Sequence, residues 1–241
     1  MAPIYDCSVD SELLSGMRLA RAAIGRGELV VIPTDTVYGV AADAFNPAAV
    51  QRLLDAKGRG RQSPPPVLIP GIPTLAALAE VVPQAVTDLV REFWPGGLTV
   101  VLPAQPSLVW DLGETRGTVA LRMPSDTIAL ELLSETGPLA VSSANLTGEP
   151  AARTAAEADG MLGDSVEVYL DGGEAGAAYG PVDAKDSSST IVDATALAAG
   201  TGPLRILRHG VISEEQIRAV VGDQLAAAEK IAEPTETPSD A

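Results

Sequence analysis

The chain has 241 residues, 46% of them hydrophobic and 3% aromatic, with 16 Lys and Arg against 32 Asp and Glu. That length supports one large α/β domain or two small ones, and the net charge of −16 argues against a broad nucleic-acid-binding face, because affinity for phosphate backbones comes from Lys and Arg. One cysteine and one histidine exclude an intramolecular disulfide, a cysteine-rich metal site and paired-histidine chemistry.

The N-terminus has no basic start and no signal-like apolar run, and no later stretch is long and apolar enough to span a bilayer; a cytoplasmic protein without membrane contact is expected. Leu13, Met17, Ala20 and Ile24 recur at helical spacing and predict a helix over 11–24, stopped by Gly25 and Gly27. Residues 28–32 read as a short buried strand ended by Pro33, and the chain enters Thr34-Asp35-Thr36-Val37-Tyr38-Gly39. A polar loop after a strand is where α/β sheets place ligands; the same Thr and Asp side chains equally stabilise a plain turn.

Asn46-Pro47 supplies a capping side chain and a proline at the first helical position, which predicts a helix over 47–57 with Val50, Leu53 and Leu54 on one face. It runs out into Lys57-Gly58-Arg59-Gly60-Arg61-Gln62-Ser63-Pro64, a basic loop in an acidic chain. Lys57 beside Arg59 sets a compact point charge next to a planar fork, a plausible polyphosphate clamp. The competing reading is a solvated helix end, its cations favoured by the negative pole of the dipole.

Pro64-Pro65-Pro66 stiffens the exit to a strand at Val67-Leu68-Ile69. Helical patterns over 74–81 and 83–93 follow, then Trp94-Pro95-Gly96-Gly97 and the run Leu98-Thr99-Val100-Val101-Leu102. Adjacent apolar residues there predict an interior strand covered on both faces. A strand over 117–124 puts Thr118, Ala120 and Arg122 on one face, making Arg122 either a carboxylate or phosphate ligand or half of a surface ion pair. Ser125 or Asp126 caps a helix to about 136. Leu139-Ala140-Val141 then stops in Ser142-Ser143-Ala144-Asn145, groups that bond phosphate or adenine, or merely form a turn.

A helix over 154–162, a strand over 166–170 and a mobile Gly- and Ala-rich loop over 174–186 come next. Ser187-Ser188-Ser189-Thr190-Ile191-Val192 predicts a strand that brings a second set of serines to the site, and alternation from 204 to 210 puts Leu204, Ile206 and Arg208 on one face. Ser213-Glu214-Glu215-Gln216 is a capping box opening a last helix to about 221. The simplest organisation is one domain over 10–221 and an acidic, disordered tail over 222–241.

Seven of these segments come in an order and spacing that resemble the YrdC-like threonylcarbamoyl-AMP synthase family. They are Pro33-Thr34-Asp35-Thr36-Val37-Tyr38-Gly39, Lys57-x-Arg59, Trp94-Pro95-Gly96, Ala120-Leu121-Arg122-Met123-Pro124, Ser143-x-Asn145, Ser189-Thr190-Ile191 and Leu207-Arg208-x-Gly210. The resemblance implies a single α/β domain, a twisted sheet of mixed direction flanked by helices with a large concave, positively charged cavity. It implies a nucleotidyltransferase that makes threonylcarbamoyl-adenylate and pyrophosphate from L-threonine, bicarbonate and ATP. A separate transferase complex then passes the product to tRNA, which the synthase meets only indirectly.

Carried over by position, Lys57, Arg59, Ser143 and Asn145 form the family's nucleotide cluster, with Lys57 and Arg59 the catalytic pair, and Ser63, Thr118 and Arg208 join them on ATP. Thr36, Arg122 and Ser189 match positions associated with threonine. Mg2+ is expected on the ATP phosphates, with no metal site in the protein. Pro65 stands where the family usually has leucine, and His209 where proline is common; neither removes a proposed ligand. Two rivals are a non-catalytic RNA- or tRNA-binding module and a related carbamoyl-adenylate chemistry fed by carbamoyl phosphate.

Overall fold

Side-chain caps set four of the eight helices among the described residues. Asn46 accepts from the backbone N–H groups of Ala48 and Ala49, and Pro47 takes the first helical position, so α2 (Pro47–Ala56) starts there. Asp126 caps α5 (Thr127–Thr136), Thr154 caps α6 (Ala155–Leu162), and the capping box at Ser213 and Gln216 opens α8 (Glu214–Val221). The remaining helices are α1 (Asp10–Gly25), α3 (Ile72–Leu78), α4 (Gln84–Phe93) and the single turn α7 (Thr195–Ala198). The structure, a computed structural model, describes residues 2–180 and 187–227.

The strands are β1 (Ile4–Asp6), β2 (Val30–Ile32), β3 (Gly39–Asp43), β4 (Val67–Leu68), β5 (Leu98–Pro103), β6 (Thr118–Arg122), β7 (Leu139–Ser143), β8 (Val168–Asp171), β9 (Thr190–Asp193) and β10 (Arg205–Arg208). Among the described residues they form one ten-stranded sheet in the order β1-β8-β2-β3-β7-β4-β6-β5-β9-β10. Its direction is mixed: β1, β8 and β2 run parallel, β3 is antiparallel to both β2 and β7, and β5 is antiparallel to β6 but parallel to β9.

The sheet has two unlike halves. Around β8, β2, β3 and β7 both faces are covered. Val30, Ile32 and Ala41 meet Met17 and Ile24 of α1 and Leu132 and Leu133 of α5 on one side. On the other, Val31, Val40 and Ala42 meet Leu53 of α2 and Ala158 and Leu162 of α6, around the fully buried rings of Tyr38 and Tyr169. Around β6, β5 and β9 helices cover one face only: Leu98, Val100, Leu102, Val119 and Val192 pack on Leu89 and Val90 of α4 and Ile217 of α8. The alternate residues Thr99, Val101, Thr118, Ala120, Arg122 and Ile191 line a cavity instead.

Several expectations shift. β5 was expected to be covered on both faces, but Thr99 and Val101 open onto the cavity. The strand β3 was not expected: its Gly-Val-Ala-Ala run has little β-branched content, and tertiary pairing to β2 and β7 makes it a strand. The helix expected over 74–81 ends at Leu78, because Ala79 turns extended and bridges Ala104. A β-bulge between Ile206 and Arg208 pairs Arg208 with Ile191, which takes Arg208 off the face of Ile206 and into the cavity wall. Packing also continues past 221: Leu225 is buried and bridges Leu204, and the Ala226 N–H donates to the Leu204 carbonyl at 2.8 Å. Of the expected mobile loop, 181–186 lie outside the described residues, as does the tail from 228 onward. No described helix is long and apolar enough to cross a membrane.

Candidate active site

The bare face of the sheet, closed by the Thr34–Gly39 loop, the Pro64-Pro65-Pro66 segment, the end of β7 and the approach to β9, encloses a cavity of about 330 Å³, within the range of small-molecule sites. Its charge balance is unlike that of the chain. Arg59, Arg122 and Arg208 line it, and among the described residues no Asp or Glu does, in a protein with twice as many acidic as basic residues.

Arg122 ends β6 with its guanidinium almost fully buried. Its Nε donates to the Gly96 carbonyl at 2.9 Å and its Nη1 to Thr36 Oγ1 at 3.0 Å. Nη2 lies 2.8 Å from Asp35 Oδ1, yet no acceptor is aligned with its N–H bonds. The contact is an ion pair whose alignment leaves Nη2 without a hydrogen bond among the described residues. Asp35 is held in turn: Oδ1 accepts the Ser125 N–H at 2.9 Å and Oδ2 the Tyr179 hydroxyl at 2.8 Å. Burial, then the Asp35 charge, pushes the Tyr179 phenol well up, so it stays a donor. The turn reading of the 34–39 loop is seen directly, since Thr34 Oγ1 donates to the Val37 carbonyl at 2.6 Å, and Thr34 and Thr36 also line the cavity, where Thr36 meets Arg122.

On the opposite wall, Lys57 caps α2 from behind. It is 1% exposed and does not line the cavity. Its Nζ donates to the carbonyls of Ser143 and Asn145 and to Asn145 Oδ1, the last at 3.3 Å. Burial, with Arg59 adding like charge, lowers its pKa to about 7. Asn145 turns its amide back to the carbonyls of Leu146 and Glu149 at 2.8 and 2.7 Å. The four residues of the expected nucleotide cluster thus divide. Arg59 and Ser143 face the cavity, whereas Lys57 and Asn145 rivet the end of α2 to the end of β7 behind them. Arg59 reaches Ser142 Oγ at 3.3 Å and Thr147 Oγ1 at 3.2 Å.

Thr118 lines the cavity with its hydroxyl donated to the Thr115 carbonyl at 2.8 Å. Arg208 donates through Nε and Nη2 to the Ser189 carbonyl at 3.0 and 2.8 Å, and through Nη2 to Ser189 Oγ at 2.9 Å. Gly210 permits this return, because a Cβ there would sit 2.3 Å from the Ser188 carbonyl oxygen. Ser63 is exposed outside the cavity lining, and His209 is an exposed residue beside it. The expected set of Thr36, Arg59, Thr118, Arg122, Ser143, Ser189 and Arg208 is brought together. Missing from it were Asp35 as the Arg122 partner, Tyr179 and Thr99; a lone hydroxyl in the apolar β5 run was the available signal for Thr99.

A basic cavity on the uncovered half of a mixed sheet defines an α/β protein built to take an anionic small molecule. The Sua5/YciO/YrdC family profile, described as telomere recombination, matches residues 22–210, and the chain belongs to that family. A Mycobacterium leprae protein provisionally named threonylcarbamoyl-AMP synthase is 47% identical over 222 residues, covering 92% of this chain and 95% of that protein. The Bacillus subtilis threonylcarbamoyl-AMP synthase is 37% identical over 206 residues, 84% of this chain but 56% of its own length. Among solved structures, Pyrococcus abyssi Sua5 complexed with L-threonine superposes with a TM-score of 0.79 at 31% identity, over 93% of this chain and 63% of that one. The chain therefore spans little more than half of the longer relatives and nearly all of the mycobacterial one.

Proposed function

We propose that this chain is a threonylcarbamoyl-AMP synthase, which condenses L-threonine, bicarbonate-derived CO2 and ATP into threonylcarbamoyl-adenylate and pyrophosphate. The observation that carries the reading is the cavity lined by three guanidinium side chains and several hydroxyls; the names of the relatives and the threonine-bound neighbour support it. In the reaction the threonine amine adds to CO2 to give a carbamate. A carbamate oxygen then attacks the α-phosphorus of ATP as the pyrophosphate oxygen leaves. Every reactant that enters is anionic or becomes so, and the demand is for neutralisation and alignment rather than for a strong protein base.

Arg122 takes the threonine carboxylate through Nη2, with Thr36 and Ser189 reading the amine and hydroxyl. Arg59, Ser143, Thr118 and Arg208 take the ATP phosphates and sugar, and Lys57 and Asn145 fix the wall that carries Arg59 and Ser143. Magnesium neutralises phosphate charge where it accompanies ATP. The lining Arg and hydroxyl groups fit a metal that arrives already held by the nucleotide phosphates, since they offer the phosphates neutralisation and hydrogen bonds. The product then goes to a separate transferase complex, with tRNA met only there.

The test is pyrophosphate release from ATP and bicarbonate with and without L-threonine. Release that requires threonine is expected. Release supported by carbamoyl phosphate in place of threonine and bicarbonate would move the chain to the related carbamoyl-adenylate chemistry. No release from folded protein would overturn the enzymatic reading and favour an RNA-binding module.

A further inference from the structure

Four adjacent strands carry a row of polar groups across the cavity floor. β6 ends in Arg122, β5 carries Thr99, Ser189 leads into β9, and β10 ends in Arg208. Thr99 and Ser189 are 1% and 5% exposed, and their hydroxyl oxygens are 2.8 Å apart. Arg208 Nη2 donates to Ser189 Oγ at 2.9 Å, and a guanidinium cannot accept in return.

The protons can be counted. The two hydroxyls own two hydrogens, and one lies in the bond between them. Whichever oxygen donates that one, the other hydrogen has no acceptor among the described residues. It belongs to a side chain more than nine-tenths buried on the wall of a basic cavity. A buried donor left without an acceptor is unfavourable, so the pair is built for an acceptor that arrives with the ligand. The charge-assisted bond from Arg208 polarises the Ser189 O–H and makes it the stronger donor of the two. An entering anionic oxygen outcompetes the neutral Thr99 hydroxyl for that proton, and Thr99 then turns its own proton onto Ser189.

We propose that Thr99 is a positioning residue for the amino-acid substrate: it holds the Ser189 hydroxyl in register with Arg208 and directs one O–H at an anionic oxygen of bound L-threonine or its carbamate. The proposal rests on the synthase reading. It deepens that reading by adding a residue from the centre of the floor, on the strand between Arg122 and Ser189, both of which are expected to take threonine.

The experiment is calorimetric binding of L-threonine to the full chain, together with steady-state kinetics, for wild type, Thr99→Val, Thr99→Ser, Ser189→Ala and the Thr99→Val/Ser189→Ala double variant. Loss of one hydrogen bond to a charged group predicts about a 10-fold weaker threonine Kd in Thr99→Val. The KM for ATP should stay within about twofold, and Thr99→Ser should bind threonine within about twofold of wild type. Because Thr99 acts through Ser189, Thr99→Val should add nothing further to Ser189→Ala, which is the result expected of a coupled pair. Equal threonine affinity in wild type and Thr99→Val overturns the proposal. So does a penalty that persists in the Ser189→Ala background, or one that touches ATP equally and follows the melting temperature without rescue by serine. A wild type that binds no threonine overturns the synthase reading itself, and the proposal with it.

Discussion

The two halves of the sheet obey the same alternation and put it to different uses. In β3, successive residues Val40, Ala41 and Ala42 are all fully buried, because α2 and α6 cover one face and α1 and α5 the other. In β5, Leu98, Val100 and Leu102 are as deeply buried against α4 and α8, while Thr99 and Val101 face a cavity. Where helices close both faces, the side chains serve packing alone. Where one face is left open, the polar positions are free to meet a ligand, and three guanidinium groups collect there, of which Arg122 is ion-paired with Asp35 behind the lining.

The sharpest way to break this comparison is to remove a charge from the open half. Arg122→Ala is expected to raise the threonine KM about 100-fold, the loss of a charge-assisted bond to a carboxylate. It also strands Asp35, whose side chain is 4% exposed, so a loss of about 3–5 kcal/mol in stability should accompany it. Kinetics and chemical denaturation read the two effects separately. An unchanged threonine KM in folded Arg122→Ala would remove this side chain from the threonine site.

The covered half should answer in the opposite way. Leu132 is fully buried between α5 and the sheet, and Leu132→Ala is expected to cost about 2–5 kcal/mol of unfolding free energy through lost transfer and a residual cavity. At a temperature where the variant is folded, KM for both substrates should match the wild type. A specific loss of threonine or ATP affinity would mean that the halves are mechanically coupled, and the division drawn here would be too clean.

Legibility in the sequence follows the same division. Caps and periodic helices were readable because their signals are local, as at Asn46-Pro47 and Ser213 through Gln216. The site segments were readable as a resemblance because ligand groups sit in short motifs. The sequence could not disclose which face of a strand stays bare: Leu98-Thr99-Val100-Val101-Leu102 looks the same whether a helix or a ligand meets Thr99, and only the absence of a second helical layer decides. The bulge that turns Arg208 inward is likewise a product of pairing with β9. Lys57 shows the limit most plainly. A basic loop suggests a side chain facing the ligand, yet its ammonium points back at carbonyls of the β7 end.

That inward lysine gives an effect of another form, a slope rather than a step. Burial, then Arg59, lowers Lys57 from an ordinary 10.5 to about 7. Because the folded value is below the unfolded one, the unfolded chain binds more protons between pH 7 and 10.5, and stability should rise with pH across that window. Below pH 7 the lysine is charged in both states and its burial cost is present in full. Hydrogen bonds from the ammonium to the Ser143 and Asn145 oxygens oppose the shift and flatten the slope. Lys57→Met fills similar space without a titrating group. The difference in unfolding free energy between wild type and Lys57→Met should therefore move in favour of the wild type as pH rises from 7 toward 10. A flat difference would mean that the carbonyl cradle fully offsets burial, leaving Lys57 a permanent cation behind the wall that carries Arg59 and Ser143.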